Sequence, residues 1–530
     1  MKTAVETDES KDEKEDDLRN PMQKLEHALV TCEFGVFNLR LMITTLIATC
    51  ASTTVTTTSS YILSIAECDL NMTILQKGLL NAIPFFGQVG ASLFTGFLID
   101  AFGRKVFLVS GHVGIFICTV LQGSSQTYWM MMIFKLIDGM CLSITFSGIA
   151  VMVSELTHKN VRDRVLLVYA ACMSTSIIVV ALVSWGILIQ TWDLVIVQGY
   201  FELHSWNIYL YVSSVWSLVA AILYYCLPES PKYLLSQGQE EEALEILKNI
   251  FRENTRKPKE DFPIKSLSIK EANFIPKKRT FKTQLTNAFF ETKDLFRRPL
   301  ICQLLLFSCA TFVCLLAYSA QRLWYPQLST IIENYQLDHN KTDRFCVMMN
   351  EYTSSLVANV TESDELTVTK TCVPKLSGSE TYINGIIMGV VSLICVSVSA
   401  GLVNYFGQKP LMFVALVLCA VCSGSMYWTN SSIQIALLVS LTCAMMQTSL
   451  SLQQNILVRV FPTTVRTMAL SVILMAGRTG SLVGNVLFPV MLEAGCMGPF
   501  LALTVITLGV AALIYFFPNP AKENKTTGDK

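Results

Sequence analysis

Long apolar runs separated by short polar turns fill most of the chain. Most runs hold about 17–25 residues, the length that crosses the hydrocarbon of a bilayer as one helix. The pattern predicts twelve transmembrane helices, at residues 39–63, 79–99, 106–121, 129–153, 165–189, 206–227, 300–320, 383–405, 411–427, 433–457, 468–492 and 499–517. A polar linker over residues 228–298 separates the first six helices from the last six.

A polar turn recurs at the same place in both sets of six. Residues 96–105 (GFLIDAFGRK) join the second and third predicted helices, and residues 404–409 (NYFGQK) join the eighth and ninth. The positions that match at one offset of 304 residues are Asp100 with Asn404, Gly103 with Gly407, Lys105 with Lys409, Glu155 with Arg459, and Arg162 with Arg466. The repeat predicts an all-α membrane protein of two pseudo-symmetric six-helix bundles, a build that alternating-access carriers use.

Charge and polarity divide the chain further. We predict an N-terminal tail with a surface helix (1–38), a first bundle (39–227), a linker (228–298), a second bundle (299–517) and a C-terminal tail (518–530). Cations that flank spans are retained on the cytoplasmic side, which places Arg104, Lys105 and the basic cluster 277–279 there. These signals predict a multi-pass protein of the plasma membrane or an intracellular vesicle, with the linker and both termini in the cytoplasm.

Residues 321–380 are predicted to form a polar loop on the outer or lumenal side. This segment holds five cations against eight acids, and its sequons make Asn340 and Asn359 glycosylation candidates. Cys346 can pair with Cys372 in this oxidising compartment. Cys68, in the first outer loop, competes as the partner.

The composition excludes several classes of function. The chain of 530 residues is 52% hydrophobic and 15% charged, with a mean hydropathy of +0.47 and a formal net charge of zero. The neutral balance gives no sign of nucleic-acid binding. No catalytic constellation, phosphate-binding loop or metal-ligand spacing stands out, so we predict neither enzymatic activity nor a cofactor.

An ionisable group inside hydrocarbon is costly and therefore marks a candidate functional position. Arg478, near the middle of the eleventh predicted helix, fits a site that holds an anionic group with its guanidinium fork. A structural ion pair with another helix, or a place close to the cytoplasmic surface, is the alternative. Lys135 and Asp138 lie one turn apart and can pair along one helix face. They form either a local pair near the outer interface or a charge relay that opens onto the cavity.

Other polar side chains within the spans are candidates for lining a solute pathway. They are Asn485, Gln88, Gln447, Gln454, Thr53 and Tyr318. The amides need partners inside a bundle, whereas a hydroxyl such as that of Thr53 can bond to its own backbone, so helix packing remains its alternative role. Tyr318 belongs either to an outer gate or to an ordinary aromatic belt.

The repeated turns are predicted to act as hinges and latches on the inner face. Gly103 and Gly407 relax the backbone between antiparallel helices, and the charged side chains hold the inner gate. The predicted gating set is Gly96, Asp100, Gly103, Arg104, Lys105, Glu155, Arg162, Asn404, Gly407, Lys409 and Arg466.

These motifs resemble the signature of the major facilitator superfamily. Residues 96–105 are similar to its loop between helices 2 and 3, and Glu155 with Arg162 is similar to its turn after helix 4. Residues 228–234 (PESPKYL) resemble the end of helix 6 in sugar porters and organic ion transporters, and residues 461–466 resemble the turn after helix 10.

A narrower resemblance is to the synaptic vesicle glycoprotein 2 and related vesicle-protein family. It rests on residues 33–38 (EFGVFN), 66–70 (AECDL) and 77–82 (KGLLNA). Two departures from that family are the absence of an acid in helix 1 and a short outer loop. Arg459 stands where the superfamily usually has an acid.

The resemblance implies a secondary-active transporter of a small organic solute. Because related organic anion transporters also place a cation on helix 11, Arg478 favours an organic anion. The alternative is a carrier-shaped glycoprotein that no longer transports and acts in vesicle trafficking by binding partners. The expected surroundings are the lipid bilayer and a small organic solute, and the sequence identifies no protein partner.

Overall fold

The computed structural model describes residues 21–197, 201–267, 297–298, 300–339, 343–363, 377–461 and 465–517. Eleven of the described helices are long and apolar enough to cross a membrane. The helix Ile74–Phe102, with 29 residues, takes the remaining position in the first bundle. The predicted all-helical architecture of two six-helix halves is therefore confirmed.

The N-terminal half contains a surface helix, six long helices and a short hairpin. The elements are α1 (Pro21–Thr31), α2 (Val36–Ile62), α3 (Ile74–Phe102), α4 (Arg104–Gly123), α5 (Tyr128–Glu155), α6 (Lys159–Leu188), β1 (Asp193–Val197), β2 (Phe201–His204) and α7 (Ser205–Cys226). The strands pair antiparallel, with Asp193 opposite His204. Two linker helices follow, α8 (Pro231–Ser236) and α9 (Glu240–Thr255).

The C-terminal half repeats the six long helices and adds one helix outside them. Its elements are α10 (Leu300–His339), α11 (Phe345–Ser363), α12 (Ser379–Phe406), α13 (Gln408–Ser425), α14 (Ser432–Val460), α15 (Arg466–Ala494) and α16 (Met497–Leu513). Short 3-10 turns occupy Lys259–Asp261, Met426–Trp428 and Ile514–Phe516. We call the side that carries α1, α8 and α9 the linker face, and the side that carries α11 and the hairpin the loop face.

The segment predicted as a polar loop is largely helical, which corrects the sequence interpretation. α10 runs for 40 residues instead of ending near residue 320. At 1.5 Å per residue it is about 60 Å long, roughly twice the thickness of a bilayer core. The extension stays helical because it buries an apolar stripe that includes Leu323, Leu328 and Ile332. Polar composition alone does not reveal this packing.

The predicted pairing of Cys346 with Cys372 is wrong. Cys346, on α11, forms a disulfide with Cys496, in the turn before α16. Cys68 is also disulfide-bonded, and Cys372 lies outside the described residues. The pairing depends on how α11 packs over the end of α15, and spacing along the chain does not report that proximity.

One glycine joins two long helices at the same place in each half. Gly103 ends α3 and begins α4 with φ +101° and ψ 156°, and Gly407 joins α12 to α13 with φ +81° and ψ 169°. L-residues rarely adopt positive φ, so glycine is the residue that this reversal favours. The shared backbone geometry supports the internal repeat that the sequence predicts.

Candidate functional site at the interface of the two halves

Arg478 crosses from the C-terminal half to the N-terminal half near the middle of the molecule. It lies on α15 and is only 8% exposed. Its Nη1 donates to Ser143 Oγ on α5 at 2.9 Å and to the Gln88 carbonyl on α3 at 3.5 Å. Both acceptors are neutral, and within the described ranges no carboxylate lies within 4.0 Å of the guanidinium. The predicted structural ion pair is therefore not what holds Arg478.

Amides with unused hydrogen-bonding capacity lie on the helices around Arg478. The Gln88 side chain is buried, and its Nε2 has no described partner. Asn485, two turns along α15, donates to the Ser481 carbonyl at 2.8 Å, while its Oδ1 has no described partner. Because a buried polar atom without a partner is costly, these groups are suited to receiving a polar solute.

A second contact between the halves closes the loop face. Arg322, on α10, donates from Nη2 to Thr57 Oγ1 on α2 at 2.9 Å, and its guanidinium lies 5.7 Å from the centre of the Tyr318 ring. Nearby, the rings of Tyr61 and Tyr382 stack across the two halves at 5.9 Å. Tyr318 therefore lies next to the arginine that joins the two halves at this face.

Hydroxyl groups extend this closure. Ser377 Oγ lies 3.0 Å from Ser64 Oγ of the N-terminal half and 2.8 Å from Thr330 Oγ1 of α10. Asn81 Nδ2 also donates to the Leu323 carbonyl across the halves at 3.5 Å. The described hydrogen bonds between the halves therefore lie between the level of Arg478 and the loop face.

The remaining pathway candidates take different positions. Thr53 is buried and its Oγ1 lies 2.6 Å from Ser176 Oγ, so it joins α2 to α6 within one half. Gln447 is half-buried, and its Oε1 has no described partner. Gln454 is exposed, whereas its neighbour Gln453 is buried and donates to Thr311 Oγ1 at 2.7 Å. Gln453 and Gln454 are adjacent in sequence and therefore face different sides of the helix. Composition alone cannot show which of the two is buried.

Lys135 and Asp138 are both fully buried but bind different partners, so the predicted local pair near the outer interface is wrong. Lys135 Nζ donates to the Val55 carbonyl at 2.9 Å and to Thr58 Oγ1 at 2.8 Å, both on α2. Asp138 Oδ2 accepts from Gln122 Nε2 on α4 at 2.9 Å. The two charges thus serve two helix contacts instead of one direct ion pair.

The linker face of the N-terminal half carries a buried charge cluster. Arg104 pairs with Glu155, with Nε 3.1 Å from Oε2 and Nη2 3.3 Å from Oε1. Ser230 Oγ donates to Glu155 Oε2 at 2.5 Å. Glu229 accepts from the backbone N–H groups of Arg104 and Lys105 at 3.2 Å, as a carboxylate at a helix N-terminus does.

This charge cluster, which we call the latch, joins the turn after α3, the end of α5 and the start of α8. The Arg104 guanidinium also lies 5.2 Å from the centre of the Tyr233 ring. Burial and the Glu229 carboxylate raise the pKa of Tyr233. Glu229 and Ser230 lie in the PESPKYL motif, whose resemblance to the end of helix 6 does not by itself indicate a role in the latch.

Other members of the predicted gating set lie apart from the latch. Arg162 does not contact Glu155; it pairs with Glu26 on α1 at 2.7 Å and donates to the Ser154 carbonyl at 2.9 Å. In the C-terminal half, Lys409 Nζ donates to the Phe517 carbonyl, and Arg466 Nε donates to the Phe461 carbonyl at 3.2 Å.

Several predicted positions fall outside what the structure describes. Gly96 and Asp100 lie within α3, and Asn404 lies within α12, but the placement of their side chains is outside the description. The glycosylation candidate Asn340 lies outside the described residues, and Asn359 lies on α11 with its side chain outside the description. Within the described ranges, no group of three or more His, Cys, Asp or Glu side chains is arranged to hold a metal ion.

The fold and the interfacial site define a membrane carrier built from two six-helix halves. A family model described as "Sugar (and other) transporter" matches residues 28–322, and one described as "Major Facilitator Superfamily" matches residues 344–530. The chain belongs to the sugar (and other) transporter family, within the major facilitator superfamily. This family consists of transporters rather than enzymes, in agreement with the sequence prediction.

Individual relatives are distant. Synaptic vesicle glycoprotein 2B of Rattus norvegicus is 22% identical over 371 residues, covering 67% of this chain and 54% of the relative. Solute carrier family 22 member 2 of Pongo abelii is 29% identical over 170 residues, covering 32% of this chain and 27% of the relative. The chain thus spans about half or less of the length of these curated relatives, and both resemblances predicted from the motifs are confirmed.

The architecture matches solved structures over nearly the whole chain. The partially occluded inward-open conformation of the xylose transporter XylE from E. coli aligns with a TM-score of 0.62 and 15% identity, covering 91% of this chain and 100% of that chain. The inward-open conformation of the same transporter gives a TM-score of 0.59 at 16% identity. At this identity the likeness establishes the fold.

Proposed function

We propose that this protein is a secondary-active transporter that moves a small organic anion by alternating access. The sugar (and other) transporter family and the two-half fold support the transport of a small solute. The choice of an anion depends on Arg478. The linker face and both termini lie in the cytoplasm under this proposal, and the host membrane is the plasma membrane or an intracellular vesicle.

The observation that carries the proposal is a buried guanidinium held only by neutral groups between two halves. Arg478 retains most of its donors for another acceptor, because only Nη1 makes described hydrogen bonds. A carboxylate or sulfonate that approaches from the interface would receive a two-pronged, charge-assisted pair of hydrogen bonds. Such a bond offsets the cost of keeping the cation in a dry environment.

The same contact connects solute binding to movement of the halves. An anion that binds the Nη1–Nη2 edge of Arg478 competes with Ser143 for Nη1. An anion that replaces Ser143 would remove one hydrogen bond between the halves, while the Arg322–Thr57 contact still closes the loop face. Solute binding would thereby weaken one of the contacts that must break when the halves rock, and leave the other in place.

A second candidate function draws on the similarity to synaptic vesicle glycoprotein 2B, which covers twice as much of this chain as the solute carrier match. In that case the chain is a carrier-shaped glycoprotein that acts in vesicle trafficking through partner proteins. This role requires neither solute flux nor a free guanidinium donor. The two candidates therefore differ in a direct measurement.

The test is uptake by the full chain in proteoliposomes, with a panel of labelled organic anions, organic cations and sugars. We expect counterflow of at least one organic anion, and a loss of roughly tenfold or more in Arg478→Ala, the cost of a charge-assisted hydrogen bond to the solute. Arg459→Ala is the matched control, because Arg459 is exposed in the same half. Absence of flux and binding across the panel would contradict transport and favour the trafficking role.

A further inference from the structure

A carboxyl group within the N-terminal half has less hydrogen bonding than its burial requires. Asp138, on α5, is fully buried. Its Oδ2 accepts from Gln122, while its Oδ1 has no described partner. At the next residue, Gly139, α5 lies so close to α3 that an added Cβ would be 2.2 Å from the Pro84 carbonyl oxygen. An ionised carboxylate in such a place is costly, and a bound proton removes that cost.

The groups around Asp138 include one other formal charge. The Lys135 ammonium interacts with it electrostatically from one turn away, and so do the thiols of Cys141 on α5 and Cys118 on α4. α2 presents the Thr58 hydroxyl to Lys135. His112, also on α4, lies about three turns from Gln122 and contacts the Leu108 carbonyl instead.

Lys135, which interacts electrostatically with this carboxyl, also binds a helix that reaches the closed loop face. Lys135 binds α2 at Val55 and Thr58, and the residue before Thr58, Thr57, accepts the hydrogen bond from Arg322 of the C-terminal half. A change in the charge balance around Lys135 therefore acts on the helix that forms the contact between the halves. The distance from the start of α5 to Lys135 is about 10 Å along the helix, so opening the loop face would bring water to the pair.

We propose that Asp138 is a proton-binding site that couples proton movement to the opening of the loop face. A proton taken from water at one face adds to Oδ1 and leaves to water at the other face. While it is bound, the Lys135 ammonium has no compensating charge in a dry interior, and this favours the conformation in which water reaches it. The inference rests on the proposed transport function and names a proton as the driving ion.

The test requires no knowledge of the solute. Hydrogen–deuterium exchange of the full chain in nanodiscs is measured by mass spectrometry between pH 5 and pH 8, with correction for the intrinsic pH dependence of exchange. We expect acidification to increase the exchange of peptides at the loop-face ends of α2 and α10, which contain Thr57 and Arg322. In Asp138→Asn the exchange at pH 8 should already resemble that of wild type at pH 5, with no further response to pH.

Two further variants keep the test decisive. Asp193→Asn removes an exposed carboxylate on the loop face and should keep the wild-type response. Gln122→Leu removes the donor to Asp138 Oδ2 and should move the midpoint of the response upward by about one pH unit. This variant tests the site even where Asp138→Asn does not fold.

The proposal is overturned by wild-type exchange that does not depend on pH, or by an unchanged pH response in Asp138→Asn. A pH response that depends on Asp138, without uptake of any solute in the panel, would contradict the transport function and leave the proton site standing. Solute uptake with exchange that is independent of pH would contradict the proton site alone.

Discussion

In the N-terminal half, the glycine turn at Gly103 leads into a buried pair between Arg104 and Glu155. In the C-terminal half, the turn at Gly407 has the same positive φ, but the position that matches Glu155 is the exposed cation Arg459. Duplication has therefore preserved the backbone reversal in both halves, while the side chains that fasten it differ.

The difference indicates which half is stiffer at the linker face. The N-terminal turn is held by an ion pair, by Ser230 on Glu155, and by Glu229 on the backbone of α4. The C-terminal turn is held through Lys409, whose amine reaches the Phe517 carbonyl at the end of the described chain. We therefore expect the N-terminal half to keep its internal structure during the rocking motion and the C-terminal turn to tolerate substitution.

The largest expected effect comes from breaking the buried pair. Glu155→Gln removes a carboxylate that pairs with Arg104 and accepts from Ser230 in a site that is largely closed to water, and should lower the free energy of unfolding by about 3–5 kcal/mol. Arg459→Gln, at the matching position, is exposed and should change it by about 0.5 kcal/mol or less. Chemical denaturation in detergent micelles measures both. Equal losses would remove the proposed difference between the halves.

The loop face of the C-terminal half carries a covalent tie between Cys346 and Cys496. Replacing Cys346 and Cys496 together with Ser should cost about 2–5 kcal/mol of stability. Cys302→Ser, at an exposed free cysteine, is the control and should be nearly neutral. Peptide mapping without reduction should recover the Cys346–Cys496 pair, and recovery of Cys346 with Cys372 would show that the packing of α11 described above is incorrect.

At the loop face of the N-terminal half, Asp69 makes two noncovalent contacts next to Cys68, which is itself disulfide-bonded. Asp69 Oδ2 accepts from Trp206 Nε1 at 2.7 Å and lies 2.9 Å from His204 Nδ1.

Alanine at the two turn glycines separates backbone conformation from its surroundings. Both Gly103→Ala and Gly407→Ala place a Cβ at positive φ, at a cost of about 1–2 kcal/mol. At Gly103 the Cβ would also lie 2.6 Å from Glu229 Oε2, whereas at Gly407 nothing lies within 4 Å. We expect the thermal midpoint to fall further for Gly103→Ala. A larger fall for Gly407→Ala would contradict the account of the turn.

The smallest expected effect concerns the arginines that follow these turns. Arg162→Ala removes a half-exposed pair with Glu26 and bonds to two carbonyls, and should cost about 1 kcal/mol. Arg466→Ala removes one bond to a carbonyl and should cost about half as much. A double variant Arg162→Ala/Glu155→Gln should show additive losses, because the two side chains do not contact each other. A strongly non-additive loss would instead indicate a direct contact between Glu155 and Arg162.

The features that follow from local rules could be predicted from the sequence. Apolar length predicts the spans, and a glycine between two apolar runs predicts the reversals at Gly103 and Gly407. A cation within a long apolar run predicts that Arg478 lies inside the bundle, because a lipid-facing position would be too costly.

The features that depend on contacts between distant segments could not be predicted. Arg104, rather than Arg162, is the partner of Glu155 because the turn after α3 lies against the end of α5. The partner of Cys346 follows from the packing of α11. The choice between Gln453 and Gln454 depends on helix rotation by about 100°, which periodicity in a nearly uniform apolar helix leaves undetermined.

Both halves contribute to the proposed solute site, and this is the central claim of the account. The most direct test is an electron cryomicroscopy structure of the full chain in nanodiscs, with the organic anion that shows the highest uptake. The account predicts solute density within hydrogen-bonding distance of the Arg478 guanidinium, with the contact to Ser143 broken. Solute density elsewhere, with the Arg478–Ser143 contact intact, would contradict it.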